Sequence, residues 1–134
     1  MNFELIYNNF FIIISGLDET LILVIVSLSL GFFISIPFAL ARVSSIKILS
    51  KSVYFYVFVI RGTPLLVQIY LIYYGLGTIE YVRESFLWIV LKDPFYCGVL
   101  ALVLNTVAYT TEIFRGGIQS VTIGQIESCK SLGM

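Results

Sequence analysis

The sequence predicts an all-α protein whose helices cross a membrane. Of its 134 residues, 59% are hydrophobic and 12% are charged, whereas soluble domains have roughly 45 to 50% and about 25%. Apolar runs of helix length recur along the chain. The net charge is zero and the charges are dispersed, so we expect lipid and not nucleic acid as a partner.

The first predicted span is the run 20–41, which carries no charge. At about 1.5 Å per residue it reaches about 33 Å, enough for a hydrocarbon core of about 30 Å. Gly31 and Pro37 are tolerated in such a helix, because neighbouring helices can satisfy the backbone groups that these residues leave free. Arg42 marks its end.

The second apolar block is interrupted by Arg61, which would cost roughly 2.5 to 3.5 kcal/mol at the centre of a bilayer. We therefore predict a short tilted or interfacial helix over 52–60 and place Arg61 at the membrane surface. A separate helix is expected over 63–77, with Thr63 as its cap and Pro64 as its first residue.

The third predicted span, 95–113, begins wholly apolar and ends polar. Asn105, Tyr109 and Glu112 follow one another at helical spacing and therefore share a face. A polar stripe on a spanning helix faces either neighbouring helices or a water-filled path. The stripe is therefore read either as interhelical hydrogen bonding, with Glu112 at the surface beside Arg115, or as part of a translocation path.

The charges also predict an orientation. The loop 42–51 carries only basic charges, while the amino-terminal stretch carries only acidic ones. Lysine and arginine in short loops stay in the cytoplasm. We therefore expect the amino terminus and the loop 77–94 outside, with residues 42–51 and 114–134 in the cytoplasm.

Catalysis is not expected. The chain has no histidine, which removes imidazole acid–base chemistry and most zinc sites. It has no GxxxxGK[ST] loop, so ATP must be bound by another protein. Cys97 and Cys129 fit no metal or redox spacing. We expect no catalytic residue, no metal and no cofactor in this chain.

Two segments resemble a known family. Arg61-Gly62-Thr63-Pro64-Leu65-Leu66-Val67-Gln68 resembles the RGTPLLVQ stretch in permease subunits of polar-amino-acid ABC importers of the histidine, glutamine and arginine uptake type. The segment 108–121 resembles the AYxxEIFRGGIxSV stretch of the same group, and it contains Glu112, Arg115, Gly116 and Gly117.

The end of the chain is similar to that family's EAA loop, a short cytoplasmic helix that fits a groove on the ATPase subunit. The matching residues are Gly124, Gln125, Glu127, Ser128, Cys129 and Gly133. Ser128 and Cys129 stand where the family has two alanines, and because both are small we expect a close fit of this helix in the groove. We expect the two glycines to flank a helix of about two turns, with the glutamate in its first turn.

The resemblance implies an ABC importer permease fold, incomplete here because the family has about five spans and this chain offers three. Residues 1–134 would form the amino-terminal part of one transmembrane domain, and we expect a truncation after the coupling loop. The implied function is inner-membrane import of a polar amino acid such as glutamine. The implied partners are an ABC ATPase, an external amino-acid-binding protein and a second permease subunit. The alternative is a non-functional or split-gene fragment, or a small membrane protein that does not transport.

Overall fold

The protein consists of helices joined by short connections. A computed structural model describes residues 9–12 and 14–133, and every regular element in that part is helical, which confirms the predicted all-α class. The elements are α1 (Leu17–Val43), α2 (Lys47–Gly62), α3 (Leu65–Tyr70) with the π-helical turn π1 (Leu71–Gly75), α4 (Glu80–Arg83), α5 (Trp88–Leu91), α6 (Pro94–Ser120) and α7 (Ile123–Ser131).

Helices α1 and α6 lie in the two described segments that are long and apolar enough to cross a membrane, with hydropathy values of 2.5 and 1.5. Helix α1 encloses the run 20–41, and α6 encloses 95–113. A third crossing exists if α2 and α3–π1 count as one span, although the two parts are bent by 103° against each other. The described part of the chain therefore offers two continuous candidate spans, and a third one if the bent pair crosses the membrane as a unit.

The core of the bundle is the contact between α1 and α6, the most extensive one among the described elements. The buried residues of α1 recur at every fourth position and are all small: Ser27, Gly31, Ser35 and Ala39. A Cβ atom at Gly31 would lie 2.5 Å from Cγ2 of Thr106 on α6. Because lipid tails are as apolar as leucine, helices in a membrane associate through such close van der Waals contact.

Helix α2 packs across α6. Val53 and Val57 are buried against Ala108, and the Tyr56 hydroxyl donates a 2.6 Å hydrogen bond to the carbonyl oxygen of Leu104. These contacts join residues 53–57 of α2 to residues 104–108 of α6. Helix α2 is longer than the helix predicted over 52–60, because it runs from Lys47 to Gly62. Its tilted or interfacial placement stays a prediction.

The bend after α2 is held by Gln68, which is 7% exposed. Its Nε2 donates to the carbonyl oxygens of Ile60 at 2.7 Å and Thr63 at 3.1 Å, and to the Thr63 hydroxyl at 2.9 Å. One side-chain amide thereby satisfies backbone acceptors that the end of α2 would otherwise leave without partners. The break predicted around Arg61 is present and lies between Gly62 and Leu65.

The predicted cap of the helix after the break is wrong. Pro64, and not Thr63, occupies the cap position with an extended backbone, and the helix begins at Leu65 without a side-chain cap. The Thr63 hydroxyl is committed elsewhere, because it lies 3.0 Å from the Val59 carbonyl oxygen and accepts from Gln68. The threonine therefore closes α2 and does not open α3.

On the other side of the bundle, the short helices α4 and α5 connect π1 to α6. Asp93 begins α6 as its cap, since its carboxylate accepts a 2.8 Å hydrogen bond from the amide of Phe95. Pro94 follows at a position where the missing amide hydrogen has no cost.

We predict that Gly31→Ala destabilises the protein by about 1 to 3 kcal/mol, as overpacking of a close contact does. The added methyl group would lie 2.7 Å from Cβ of Thr106, which cannot move without shifting α6. The free energy of unfolding in detergent micelles measures this effect.

The matched control is Gly116→Ala on α6, where a Cβ meets nothing within 4 Å. It should be neutral or slightly stabilising because alanine favours helix. Adding Thr106→Gly to Gly31→Ala should recover part of the loss. If Gly31→Ala behaves like Gly116→Ala, the close approach of α1 and α6 is not the basis of the packing.

Candidate functional site

The sequence-predicted site residues lie in two places. One is the region where α2 crosses α6 near the end of α1, and the other is the terminal helix α7. The first contains an ion cluster and a pocket, and the second is an exposed helix with a strong cap.

The ion cluster is centred on Glu112. Its Oε1 lies 3.1 Å from Nε of Arg42 at the end of α1, and its Oε2 accepts a 2.7 Å hydrogen bond from Nε of Arg115. The side chains of Glu112 and Arg42 are only 14% and 17% exposed. Arg115 also donates to the side-chain carbonyl of Gln119. A single carboxylate therefore links α1 to α6. Its Oε2 is hydrogen-bonded to Arg115 within α6, whereas its Oε1 meets Arg42 in an ion pair that lacks hydrogen-bond geometry.

A pocket of about 320 Å³ lies beside this cluster, between α2 and α6. Arg61 and Tyr109 face each other there, with the guanidinium carbon 5.0 Å from the ring centroid. Glu112 and Phe58 also line the pocket. A second arginine–tyrosine pair, Arg42 over the Tyr54 ring at 4.8 Å, lies at the same end of the bundle. Such contacts stabilise a cation by about 0.5 to 2 kcal/mol.

This pocket takes in two of the three residues of the predicted polar stripe. Tyr109 and Glu112 line the pocket, whereas Asn105 is half-buried on α6 and does not. Arg42 and Tyr54 complete this region although the predicted site did not include them. The sequence did contain a signal for Arg42. It directly follows the first predicted span, and Glu112 lies at the end of the third predicted span, so the two charges are expected at the same level of the membrane.

The predicted loop 114–134 is shorter than expected, because α6 continues to Ser120. Gly116 and Gly117 lie inside the helix and do not start a loop. The bonds of Arg115 to Glu112 and Gln119, three and four residues away, favour continued helix over this stretch. Only Val121 and Thr122 separate α6 from α7.

Helix α7 has a complete capping box. The Thr122 hydroxyl accepts from the Gln125 amide, and the Gln125 side chain accepts a 3.0 Å hydrogen bond from the Thr122 amide. The helix therefore starts at Ile123, and Glu127 lies beyond the first turn, contrary to the prediction. Glu127 then gains little from the helix dipole, whose effect falls off within the first turn.

All residues of α7 are exposed, including the motif residues Gly124, Gln125, Glu127, Ser128 and Cys129. Two apolar side chains, Ile123 and Ile126, are also exposed. The Ser128 hydroxyl donates to the Gly124 carbonyl oxygen at 2.8 Å, so it is satisfied by its own helix.

Gly133 ends this segment with a φ of 77°, in the left-handed region that glycine adopts without strain. The predicted helix is thus present, with a threonine–glutamine box in place of a glycine at its start.

Comparisons with known proteins agree on one family. The family model described as "Binding-protein-dependent transport system inner membrane component" matches residues 31–134. The nopaline transport system permease protein NocM of Agrobacterium fabrum is 48% identical over 135 residues, covering 100% of this chain and 56% of that protein. The histidine/lysine/arginine/ornithine transport system permease protein HisM of Escherichia coli is 42% identical over 120 residues, covering 89% and 50%.

A solved structure is also similar. The crystal structure of an amino acid ABC transporter with histidines matches with a TM-score of 0.81 and 40% identity, covering 100% of this chain and 58% of that one. The chain thus spans about half the length of the curated relatives that it matches.

We predict that Glu112→Gln lowers the free energy of unfolding by about 1 to 3 kcal/mol, between the values for exposed and buried ion pairs. The loss arises because Arg42 and Arg115 keep their charges without the carboxylate. The control is Glu84→Gln, an exposed glutamate outside the cluster, which should change stability by less than about 0.5 kcal/mol.

A double-mutant cycle that combines Glu112→Gln with Arg42→Gln measures the interaction energy between Arg42 and Glu112. The two substitutions should be non-additive by at least about 0.5 kcal/mol, as expected for residues in contact. Strict additivity would show that the Arg42–Glu112 contact contributes nothing.

Proposed function

Because this chain belongs to the family of binding-protein-dependent transport system inner membrane components, we propose that it acts as a permease subunit of an ATP-driven importer of polar amino acids. Membership confirms the resemblance that the motifs indicated. The permease fold expected from that resemblance is confirmed as well, since the similar amino acid ABC transporter structure covers the whole chain.

The observation that carries the proposal is α7. A short helix that is exposed throughout, has its own capping box and presents Ile123 and Ile126 to solvent is suited to dock on another protein. Exposed apolar side chains of this kind mark interaction sites when they are grouped. We assign the docking partner as the ABC ATPase subunit, which binds the ATP, so that this chain needs no cofactor.

The coupling follows from the connection of α7 to the bundle. Helix α6 continues from the membrane to Ser120 without a break, and two residues join it to α7. A displacement of α7 when the ATPase subunits close would therefore act on α6 directly. The Glu112–Arg42 ion pair would transmit it to α1. The helices then rock between outward-open and inward-open arrangements.

The remaining partners and the substrate follow from the same assignment. We propose that an external amino-acid-binding protein delivers the substrate and that a second permease subunit completes the path. The candidates for the lining of this translocation path are Asn105, Tyr109 and Glu112. The names of the relatives specify nopaline in one case and histidine, lysine, arginine and ornithine in another. They support the class of polar amino acids and do not single out glutamine.

The proposal predicts that Gly124→Leu weakens ATPase binding at least about tenfold in a quantitative pull-down, a loss of about 1.4 kcal/mol. The leucine adds bulk to the docking face without strain, because a Cβ at Gly124 meets nothing within 4 Å. Gly133 is less suitable for this test, since its φ of 77° makes any side chain strained. The matched control is Gly116→Leu, which is equally open but lies on α6.

Cys129 allows a direct crosslinking test of docking, because it is exposed and forms no disulfide bond with Cys97. A cysteine placed in the groove of the ATPase should crosslink to it, and ATP should change the yield. If Gly124→Leu binds normally and no groove position crosslinks to Cys129, the coupling role is wrong. A membrane protein without transport function then becomes the better interpretation.

The proposed orientation places residues 42–51 in the cytoplasm and the connection between π1 and α6 outside. In a background without Cys97 and Cys129, a cysteine at Glu84 should react with a membrane-impermeant maleimide on intact cells. A cysteine at Ser45 should react only after the membrane is opened. The reverse pattern would contradict the orientation and the cytoplasmic position of α7.

A further inference from the structure

We propose that the pocket between α2 and α6 binds the phosphate of an anionic phospholipid, with Arg61 as the anion-binding group and the exposed aromatic face of α2 against the acyl chains.

The first argument is charge. Arg61 forms no ion pair with any residue in 9–12 or 14–133, and its described contact is the ring of Tyr109. Arg61 lines the same pocket as Glu112, and the Glu112 carboxylate is already ion-paired with Arg42 and Arg115. The region around this end of the pocket therefore carries three positive charges and one negative charge.

The second argument is depth. Tyr109 and Glu112 are three residues apart on α6, which is about 4.5 Å along the helix axis. Arg61 thus lies within about one turn of the level at which Arg42 ends the first span. Lipid phosphates are found at this boundary, and an arginine there is stabilised by reaching them.

The third argument separates a lipid from a free amino acid. An amino acid carries an ammonium group as well as a carboxylate, and it would need a free acidic partner in the pocket. The negative charge of Glu112 is already shared by Arg42 and Arg115, although its Oε1 makes no hydrogen bond. An added ammonium group would therefore meet an excess of positive charge, and the pocket suits an anion without an amine, such as phosphatidylglycerol. The proposal does not depend on the proposed transport function, because lipid binding needs no ATPase.

The wall of the pocket agrees with this assignment. Phe58 lines the pocket and is 63% exposed, and Phe55 on the same helix is 68% exposed. Aromatic side chains concentrate at the level where headgroups meet acyl chains. Basic pockets between helices on the cytoplasmic side are known sites for anionic headgroups. Because both rings are exposed, this face of α2 is open towards the surroundings of the described helices.

The test uses the full chain in phosphatidylcholine vesicles that contain a photoactivatable phosphatidylglycerol. Crosslinks should map to the segments 54–62 and 109–112. Arg61→Gln should lower labelling of these segments about fivefold, the effect of one basic residue near an anionic surface. Arg83→Gln, which removes the same charge from the exposed α4, should leave labelling unchanged.

Arg61→Lys should retain most of the labelling because it keeps the charge. If Arg61→Lys and Arg61→Gln lose labelling equally, the arginine acts on the fold and the proposal is wrong. If Arg61→Gln and Arg83→Gln lose labelling equally, the loss reflects only the net charge of the protein, and the proposal is also wrong. Excess inorganic phosphate, L-glutamate or L-arginine should not compete. Competition by phosphate would assign the pocket to a free anion, and competition by an amino acid would assign it to a transported solute.

Discussion

The structure depends on the close approach of α1 and α6. In a membrane the lipid supplies no hydrophobic force between helices, so association relies on contact that only small side chains allow. Gly31 provides this contact, because no Cβ fits between it and Thr106. The other elements are arranged around this pair. Helix α2 packs on Ala108 of α6, and Arg42 at the end of α1 reaches Glu112 on α6.

The charged residues at the end of the bundle that faces the cytoplasm in the proposed orientation fall into two groups, one with ion-pair partners among the described residues and one without. In the Arg42–Glu112–Arg115 cluster, each arginine has the same carboxylate as its ion-pair partner. Arg61 remains outside this cluster and rests on an aromatic ring. The first group stabilises the bundle, and the second is available to a partner. Helix α6 contributes to both and continues as a rigid connection towards α7.

Much of this arrangement could be predicted from sequence. The break near Arg61 follows from the cost of a buried charge and from Pro64, both of which are local properties. The terminal helix followed from its motif. Its N-cap, Thr122, could also have been predicted, because threonine followed three residues later by glutamine is a capping-box pattern.

Other features depend on tertiary structure and were missed for that reason. The donor role of Gln68 requires the chain to fold back on the end of α2. The pairing of Arg42 with Glu112 joins residues from two separate spans. The small residues of α1 are an intermediate case. Their four-residue spacing is visible in the sequence, but which helix they face is not.

The hydrogen bonds of Gln68 at the bend and the contact of Gly31 with Thr106 also form at different times during synthesis of the chain. Ribosomes add roughly 5 to 20 residues per second, so Gly31 is synthesised roughly 4 to 15 seconds before Thr106. During that time the face around Gly31 has no α6 to pack against. The bonds of Gln68, in contrast, join residues 60 to 68 only. The bend between α2 and α3 can therefore form before α6 leaves the ribosome. In that case α6 inserts beside a bend that is already present.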